Sequence, residues 1–447
     1  MSAFYTLGVD PAKRKLTAVL LSPQGQVLLP ATDFESSRGG YESLLSHLRH
    51  AVSEGGHLVV GTEATASLDD NFLLWLNSLR ESFTIVSLRL DPAQVAHFTG
   101  PRPIRGKTDS ADALRIARFT QAYAEQLTPL EADPRAQAMS RLVNERARLV
   151  YERTALRNRL HDRVNLTFPE IYQVFKNPCL QTPMALLALY PTAREIARRR
   201  ESTIAAIQPA PRAGKIGVDR ARKLLRLART SIASATESSD GEALQFLIEQ
   251  IRAIDARLHR IDETLEQWVY EEQNVDDEDS LQSEVKAVET IPGAGFAGAV
   301  TTVLRVGGIR RFLTAKALSA QLGTCPDRNE TGGQQGKGWL THRGDRRTRS
   351  TVYMMALMAS LADPAFAFHK WRFHQKGQTK KQAVCSIMNK LASIIWAVVH
   401  REGTYDPERM YRNILIHHRN EWVRFIHSTA ISKKIKKKIP QWMLIEA

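Results

Sequence analysis

The chain has 447 residues, 43% hydrophobic and 24% charged, a balance that excludes wholesale disorder and, at roughly 100–200 residues per domain, predicts two to four domains. Lys and Arg outnumber Asp and Glu by 62 to 47, net +15, and the excess is local: residues 1–120 are balanced, 121–290 carry −2, and 291–447 carry +17. Three scattered cysteines, Cys179, Cys325 and Cys385, exclude a disulfide framework and a cysteine zinc site, no apolar run reaches the roughly 18 residues of a membrane span, and the start, MSAFYTLGVD, lacks a secretion-signal pattern, so a cytoplasmic protein without a membrane partner is expected.

Residues 1–122 read as α/β. Phe4–Asp10 and Leu16–Ser22 are short apolar strands, and the turn Pro23-Gln24-Gly25 leads into a third, Gln26–Ala31; strands joined by turn signals predict hairpins. An amphipathic stretch over 40–52 follows, then a strand at His57–Thr62, a helix at Ser67–Leu79, a strand at Phe83–Leu88 and a short helix at Ala93–Phe98. A Gly/Pro/basic loop, Thr99–Thr108, with Arg105 and Lys107 as candidate phosphate contacts, feeds a helix from Asp109 to Tyr123. Three hairpin-connected strands followed by βαβα is the strand plan of a ribonuclease H-like domain.

Residues 123–285 read as helical. Leu244, Leu247, Ile251, Ile254, Leu258, Ile261, Leu265 and Trp268 alternate spacings of three and four, the pattern of a coiled coil. Leu142, Leu149 and Leu156 form a weaker partner stretch. An intramolecular antiparallel hairpin and a dimer seam both fit. The Pro- and Ser-richer segment between them, about 166–240, reads as a helical cap or insertion, and the acidic run 271–279 as a solvated linker.

Residues 286–447 carry the positive charge, which predicts a polyanion surface, for nucleic acid above all. Ile291-Pro292-Gly293-Ala294-Gly295 reads as a helix-hairpin-helix turn whose Gly293 and Gly295 let backbone N–H groups approach a phosphate, or as a plain Pro-Gly turn. The glycine-rich segment Gly323–Gly344 cannot pack a core; it is either disordered or a functional loop. Helices are expected near Arg346–Leu361 and Lys380–His400. Lys433–Lys438 is a basic tail suited to phosphates or a frayed end.

Four acids stand out by position. Asp10 ends the first strand and Glu63 follows the strand His57–Thr62, and in such sheets sites gather at the carboxyl ends of strands. Asp109 and Asp112, three apart, share one face of a helix start. Gathering like charges is costly unless a cation offsets it, and magnesium with hard oxygen ligands is the natural offset for phosphoryl chemistry on nucleic acids.

The motifs GVDPAK, GTEAT, KTDSADALRIARF, ETIPGAGFAGA, FLTAKALSAQLGTCPDRNETGG and HRGDRRTRSTVYMMAL occur in that order. In these the chain resembles the DEDD-type insertion-sequence transposases, the bridge-RNA-guided serine recombinases related to the pilin-gene invertases. The resemblance implies a two-domain active site, with a RuvC-like domain over 1–122 that binds Mg2+ through Asp10, Glu63, Asp109 and Asp112 and a C-terminal transposase domain over 286–447; the middle domain, 123–285, is longer than expected of the family, and its coiled coil rests on the heptads. It implies a nucleophile in a motif R-x-x-S-G, which here is Arg328-Asn329-Glu330-Thr331-Gly332. Threonine replaces serine; its hydroxyl can make the same attack, with a methyl crowding the approach. Ser350 is a second candidate. Arg328, Lys337, Arg343, Arg346, Arg347 and Arg349 are expected to clamp phosphates, since guanidinium forks match phosphate geometry.

The expectation is therefore a nucleoid-associated DNA transposase that forms a covalent hydroxyl–DNA intermediate, guided by a non-coding RNA and working as a homo-oligomer. The alternatives are a RuvC-like junction nuclease using water and a non-catalytic nucleic-acid-binding relative. An actin-like sugar kinase shares the early strand plan, but the basic final third argues against it.

Overall fold

Leu7 and Val9 on the first strand and Leu16 to Leu21 on the second are shut away from water, which places both strands inside a sheet rather than at its edge. The computed structural model describes residues 4–445 except 53–55, 64–67, 80–81, 91, 99–107, 128, 130–133, 212, 236, 272–279, 328–329, 332–333, 336–338, 341–343 and 430. Strands β1 (Tyr5–Pro11), β2 (Lys15–Leu21), β3 (Val27–Glu35), β4 (His57–Glu63) and β5 (Thr84–Leu90) form a five-stranded sheet in the order β3-β2-β1-β4-β5. β1, β2 and β3 pair antiparallel and β1, β4 and β5 pair parallel.

Both faces are covered. Helices α1 (Arg38–Ala51) and α2 (Asp70–Asn77) bury Leu44, Leu48, Phe72, Leu73 and Leu76 against one face. Helices α3 (Pro92–Ala96) and α4 (Asp109–Tyr123) lie on the other, where Ile116 and Phe119 meet Val59, Leu88 and Leu90. The expected strands and the bounds of the last helix hold. Thr108 starts that helix by accepting a hydrogen bond from the Ala111 N–H, the N-cap role threonine favours.

The chain divides into two compact units, residues 141–272 and the remainder. In residues 141–272 the long helices α5 (Pro134–Thr167) and α10 (Ser238–Tyr270) are joined through α6 (Gln181–Leu189), α7 (Ala193–Ala197), α8 (Glu201–Ala205) and α9 (Val218–Arg229). Arg146 pairs with Asp262 at 2.6 Å and Arg153 with Asp255 at 2.8 Å. Moving seven residues forward on one helix moves seven back on the other, so they run antiparallel within one chain. Leu149 packs with Ile254 and Leu258 between these pairs. The other end of the heptad, Leu244, Leu247 and Ile251, enters a helical core with Leu160, Phe168, Leu186 and Leu224. The segment expected as an insertion is therefore a small globule that caps the helix pair. The acidic run expected as a linker lies, but for Glu271, outside the described residues.

In the other unit the sheet is joined by α11 (Leu281–Glu289), α12 (Gly295–Val306), α13 (Ala315–Gln321), α14 (Arg346–Ala362), α15 (Pro364–Gln375), α16 (Lys380–Ala397), α17 (Pro407–His427), α18 (Lys433–Lys436) and α19 (Gln441–Ile445). Arg311, in this helical part, lies close enough to Arg89 on β5 for like-charge repulsion to add to burial in lowering its proton affinity. The apolar stretch Lys380–Arg401 has a mean hydropathy of 1.5, long and apolar enough to cross a membrane by composition. Here it is a packing helix, with Ile387, Met388, Leu391 and Ile395 buried. The lysine-rich end is folded: Ser432 caps α18, Ile435 is buried, and the Lys438 ammonium donates to the Ala362 carbonyl.

Candidate active site

Two glycines decide where the acids meet. A Cβ on Gly8 would lie 2.3 Å from the Ala117 backbone nitrogen, and one on Gly61 1.9 Å from the Thr120 hydroxyl. β1 and β4 thus touch α4 at positions where any side chain would hold it off. Because side chains alternate along a strand, Asp10 and Glu63, two residues on, project from this same face at the carboxyl ends of their strands. α4 lies with Ala113 and Ala117 over Gly8, so its first turn, with Asp109 and Asp112, arrives beside Asp10.

The electrostatics bear this placement out for three of the four acids. Burial pushes the Asp10 carboxyl up to about 6, with Asp112 and then Asp109 adding repulsion and Lys15 opposing. Lys15 bridges Asp33 at 2.7 Å and Asp109 at 3.1 Å, while Arg115 holds Asp112 at 2.5 Å. Protein cations thus supply the counter-charge in this structure, and among the described residues no three His, Cys, Asp or Glu side chains converge on one metal-sized point. The donor set nonetheless suits a hard divalent cation: Asp10, Glu63 and Asp112 are half-buried and Asp109 exposed, and burial followed by repulsion from Asp112 and Asp109 raises Asp10. On the opposite face, buried Asp69 accepts from Arg89 at 2.7 Å, with Asp70 on the same guanidinium, which pins the start of α2 to β5.

Of the second set of expected residues, Thr331 lies in a short strand between α13 and α14. Gly323 and Gly344, both with positive φ, meet where a Cβ on Gly344 would lie 2.9 Å from the Gly323 nitrogen. From that base β6 (Pro326–Asp327) pairs antiparallel with β9 (Trp339–Leu340), and β7 (Glu330–Thr331) with β8 (Gln334–Gln335). Part of the segment expected as a loop thus forms two short antiparallel strand pairs, with Thr331 opposite Gln334. Arg105, Lys107, Arg328, Lys337 and Arg343 lie outside the described residues.

Arg346 and Arg347 are exposed and Arg349 half-buried in the first turn of α14, and Ser350 is exposed on the same helix. That helix is anchored by Asp345, which accepts from the Arg347 and Thr348 N–H groups, the Thr348 hydroxyl and Arg305 at 2.6 Å. These donors hold its carboxyl down to about 2 despite burial. Sequence reasoning passed over Asp345 as an anchor, although Asp followed by a helical run is an N-cap signal. Gly293 has φ +87 and a Cβ there would lie 2.2 Å from the Ala359 nitrogen, so close packing of the turn on α14 accounts for it. Gly295, exposed with φ +59, has open space around it.

A sheet that collects carboxylates at its strand ends, in one unit with a strongly basic helical part, suits an enzyme acting on a polyanion, and comparison with known proteins names the class. Residues 7–169 match the DEDD-type IS110 transposases and residues 285–370 the transposases of the IS116/IS110/IS902 family. The chain belongs to this IS110/IS116 family of transposases, the two matches together spanning more than half of it. It is 24% identical over 318 residues to an insertion element IS116 protein of Streptomyces clavuligerus, covering 70% of this chain and 76% of the relative. It is 24% identical to a probable family 20 transposase of Pseudomonas aeruginosa, over 74% and 82% of the two chains. A pilin gene-inverting protein of Moraxella bovis is 31% identical over 128 residues, 28% of this chain and 40% of the relative.

Proposed function

We propose that the enzyme recombines the ends of an insertion element by a metal-assisted covalent mechanism shared between two domains, a RuvC-like one over residues 1–122 and a transposase domain over 286–447, with the helical 123–285 between them acting as a coiled coil. The observation that carries this reading is the gathering of Asp112 and Asp109 about a part-buried Asp10, whose proton affinity is lifted first by burial and then by their repulsion. Asp10, Glu63, Asp109 and Asp112 would hold magnesium, and the chemistry it would supply is neutralisation of charge on a scissile phosphate. Lys15 and Arg115, now paired with Asp109 and Asp112, hold the first turn of α4 in place.

The Thr331 hydroxyl attacks phosphorus. An oxygen–phosphorus bond forms to threonine as the bond to a deoxyribose oxygen breaks, and the threonine proton passes to solvent or to a nearby base. The result is a threonyl–DNA ester that conserves the phosphodiester's energy for strand exchange, which takes more than one subunit. Thr331 is preferred to Ser350 because it occupies the serine position of the motif R-x-x-S-G, in Arg328-Asn329-Glu330-Thr331-Gly332. The arginines of α14, with Arg105, Lys107, Arg328, Lys337 and Arg343, bind the backbone of DNA and of a guide RNA, and Gly295 offers N–H groups to a phosphate.

The test is recombination of element ends by full-length variants with the RNA transcribed beside the gene. Alanine at Asp10, Glu63, Asp109 or Asp112 abolishes the reaction while nucleic-acid binding persists. Unimpaired recombination in two of these four variants sinks the reading.

A further inference from the structure

Far along the chain from the acids and Thr331, α15, α16 and α17 enclose a cavity of about 250 Å³ lined by His369, Lys390, Asn413, Ile414, His417 and His418. Lys390 and Asn413 also line a neighbouring hollow of about 190 Å³ between α16 and α17, so the two form one cleft. The lining is rich in donors and in groups that can become cationic. Lys390 has no carboxylate within ion-pair distance among the described residues; burial and the nearby Arg372 lower its proton affinity. His369 is almost wholly buried and is pushed down to about 2 by burial, Lys390, Arg372 and His418.

Two acids stand near this cleft: Glu421 is committed to Arg372 at 2.6 Å and His418 at 3.3 Å, and Asp406, which lines the adjoining hollow, accepts from the Glu408 N–H at 2.9 Å as the cap of α17. The histidines do not form a metal group: their ring centres stand 6.5 Å and 6.3 Å apart in successive pairs, and no metal-holding set occurs among the described residues. The frame is built rather than incidental. α17 breaks from helical geometry at His418 (φ −145°, ψ 26°), and behind it Phe368 packs on Trp422 and Phe425 with ring centres 5.4 Å and 5.7 Å away.

We propose that this cleft seats one phosphate of a bound nucleic-acid strand, with Lys390 as the point charge and Asn413, His417 and His418 as hydrogen-bond donors. A half-buried ammonium without a carboxylate partner is costly, and a phosphate is the anion that both supplies the missing charge and accepts from several donors at once. The cavity holds a single phosphate, and the adjoining hollow leaves room for the sugar that follows. The proposal rests on the reading of the chain as a nucleic-acid enzyme, but it concerns binding, not cleavage.

The test uses full-length protein with inorganic phosphate and with an element-end duplex. Phosphate raises the melting temperature beyond chloride of equal ionic strength and shifts the His418 resonances; Lys390→Gln abolishes both effects, and Lys390→Arg restores the first. On the duplex, Lys390→Gln weakens binding severalfold and lowers the salt slope by about one, and equal loss on 5′-phosphorylated and 5′-hydroxyl duplexes marks an internal phosphate, loss on the former alone a terminal one. Phosphate stabilisation that survives in a folded Lys390→Gln, or an unchanged salt slope, overturns the proposal. Asp10→Ala, which removes recombination and not this binding, separates failure of the cleft from failure of the proposed chemistry.

Discussion

Asp10 is the residue whose setting says most. A carboxyl that binds its proton more tightly folded than unfolded makes the folded state less stable as pH rises through that window. For Asp10 the window runs from the ordinary 3.8 to about 6. Below it the proton is on in both states and nothing is lost; above it the folded state bears the repulsion. Asp10→Asn should therefore raise the melting temperature at pH 7 in the absence of divalent cation, and the gain should fade as the pH drops from 6 toward 4. Magnesium should raise the melting temperature of the wild type and do less for Asp10→Asn. A magnesium effect of equal size in both proteins counts against the acids as its site. Asp345 has the opposite sign: its depressed carboxyl stabilises above pH 4 and that contribution is lost toward about 2. Asp345→Ala at neutral pH should cost about 1–2 kcal/mol in denaturant unfolding, the scale of a lost N-cap.

At the scale of elements, the site depends on how closely α4 lies on the sheet. Gly8→Ala forces a methyl to within 2.3 Å of backbone, and backbone cannot swing aside as a long side chain can. Overpacking of this kind costs about 1–3 kcal/mol, and it lifts α4, carrying Asp109 and Asp112 away from Asp10. The variant should fold, melt earlier and lose the response to magnesium; a Gly8→Ala protein with wild-type magnesium stabilisation contradicts the packing argument. Much of this domain was legible in advance, because turn signals and apolar runs mark its strands and Thr108 with Asp109 marks the start of α4. The strand pairs between Pro326 and Leu340 were not, since each strand is two residues long (Pro-Asp, Glu-Thr, Gln-Gln and Trp-Leu), too short to show an alternation. α15 and α17 were also missed. Their Asp363-Pro364 and Asp406-Pro407 starts are helix signals, but both helices bury aromatics and carry charge on several faces, which blurs the 3.6-residue period. The cleft at Lys390 was invisible for the same reason: its residues come from three helices that only packing unites.

For the whole molecule, charge and architecture divide the labour. The +17 of residues 291–447 implies release of counterions on contact with phosphates, so nucleic-acid affinity should fall steeply and log-linearly with salt. Binding that barely changes between low and high salt contradicts that part of the account. α5 and α10 pair antiparallel within one chain, and because Arg157 also faces Asp255, reversing both charges of the Arg153–Asp255 pair together should restore part of the stability that either single reversal removes. The central claim is that the Thr331 hydroxyl and the acids at the sheet ends act on one phosphate. Its most direct measurement is mass spectrometry of DNA-linked peptides from a reaction stalled on a nicked element end. The account predicts an adduct on Thr331 that forms in the wild type with magnesium and is absent from Asp10→Ala. An adduct on Ser350, or strand exchange by Thr331→Ala, contradicts it.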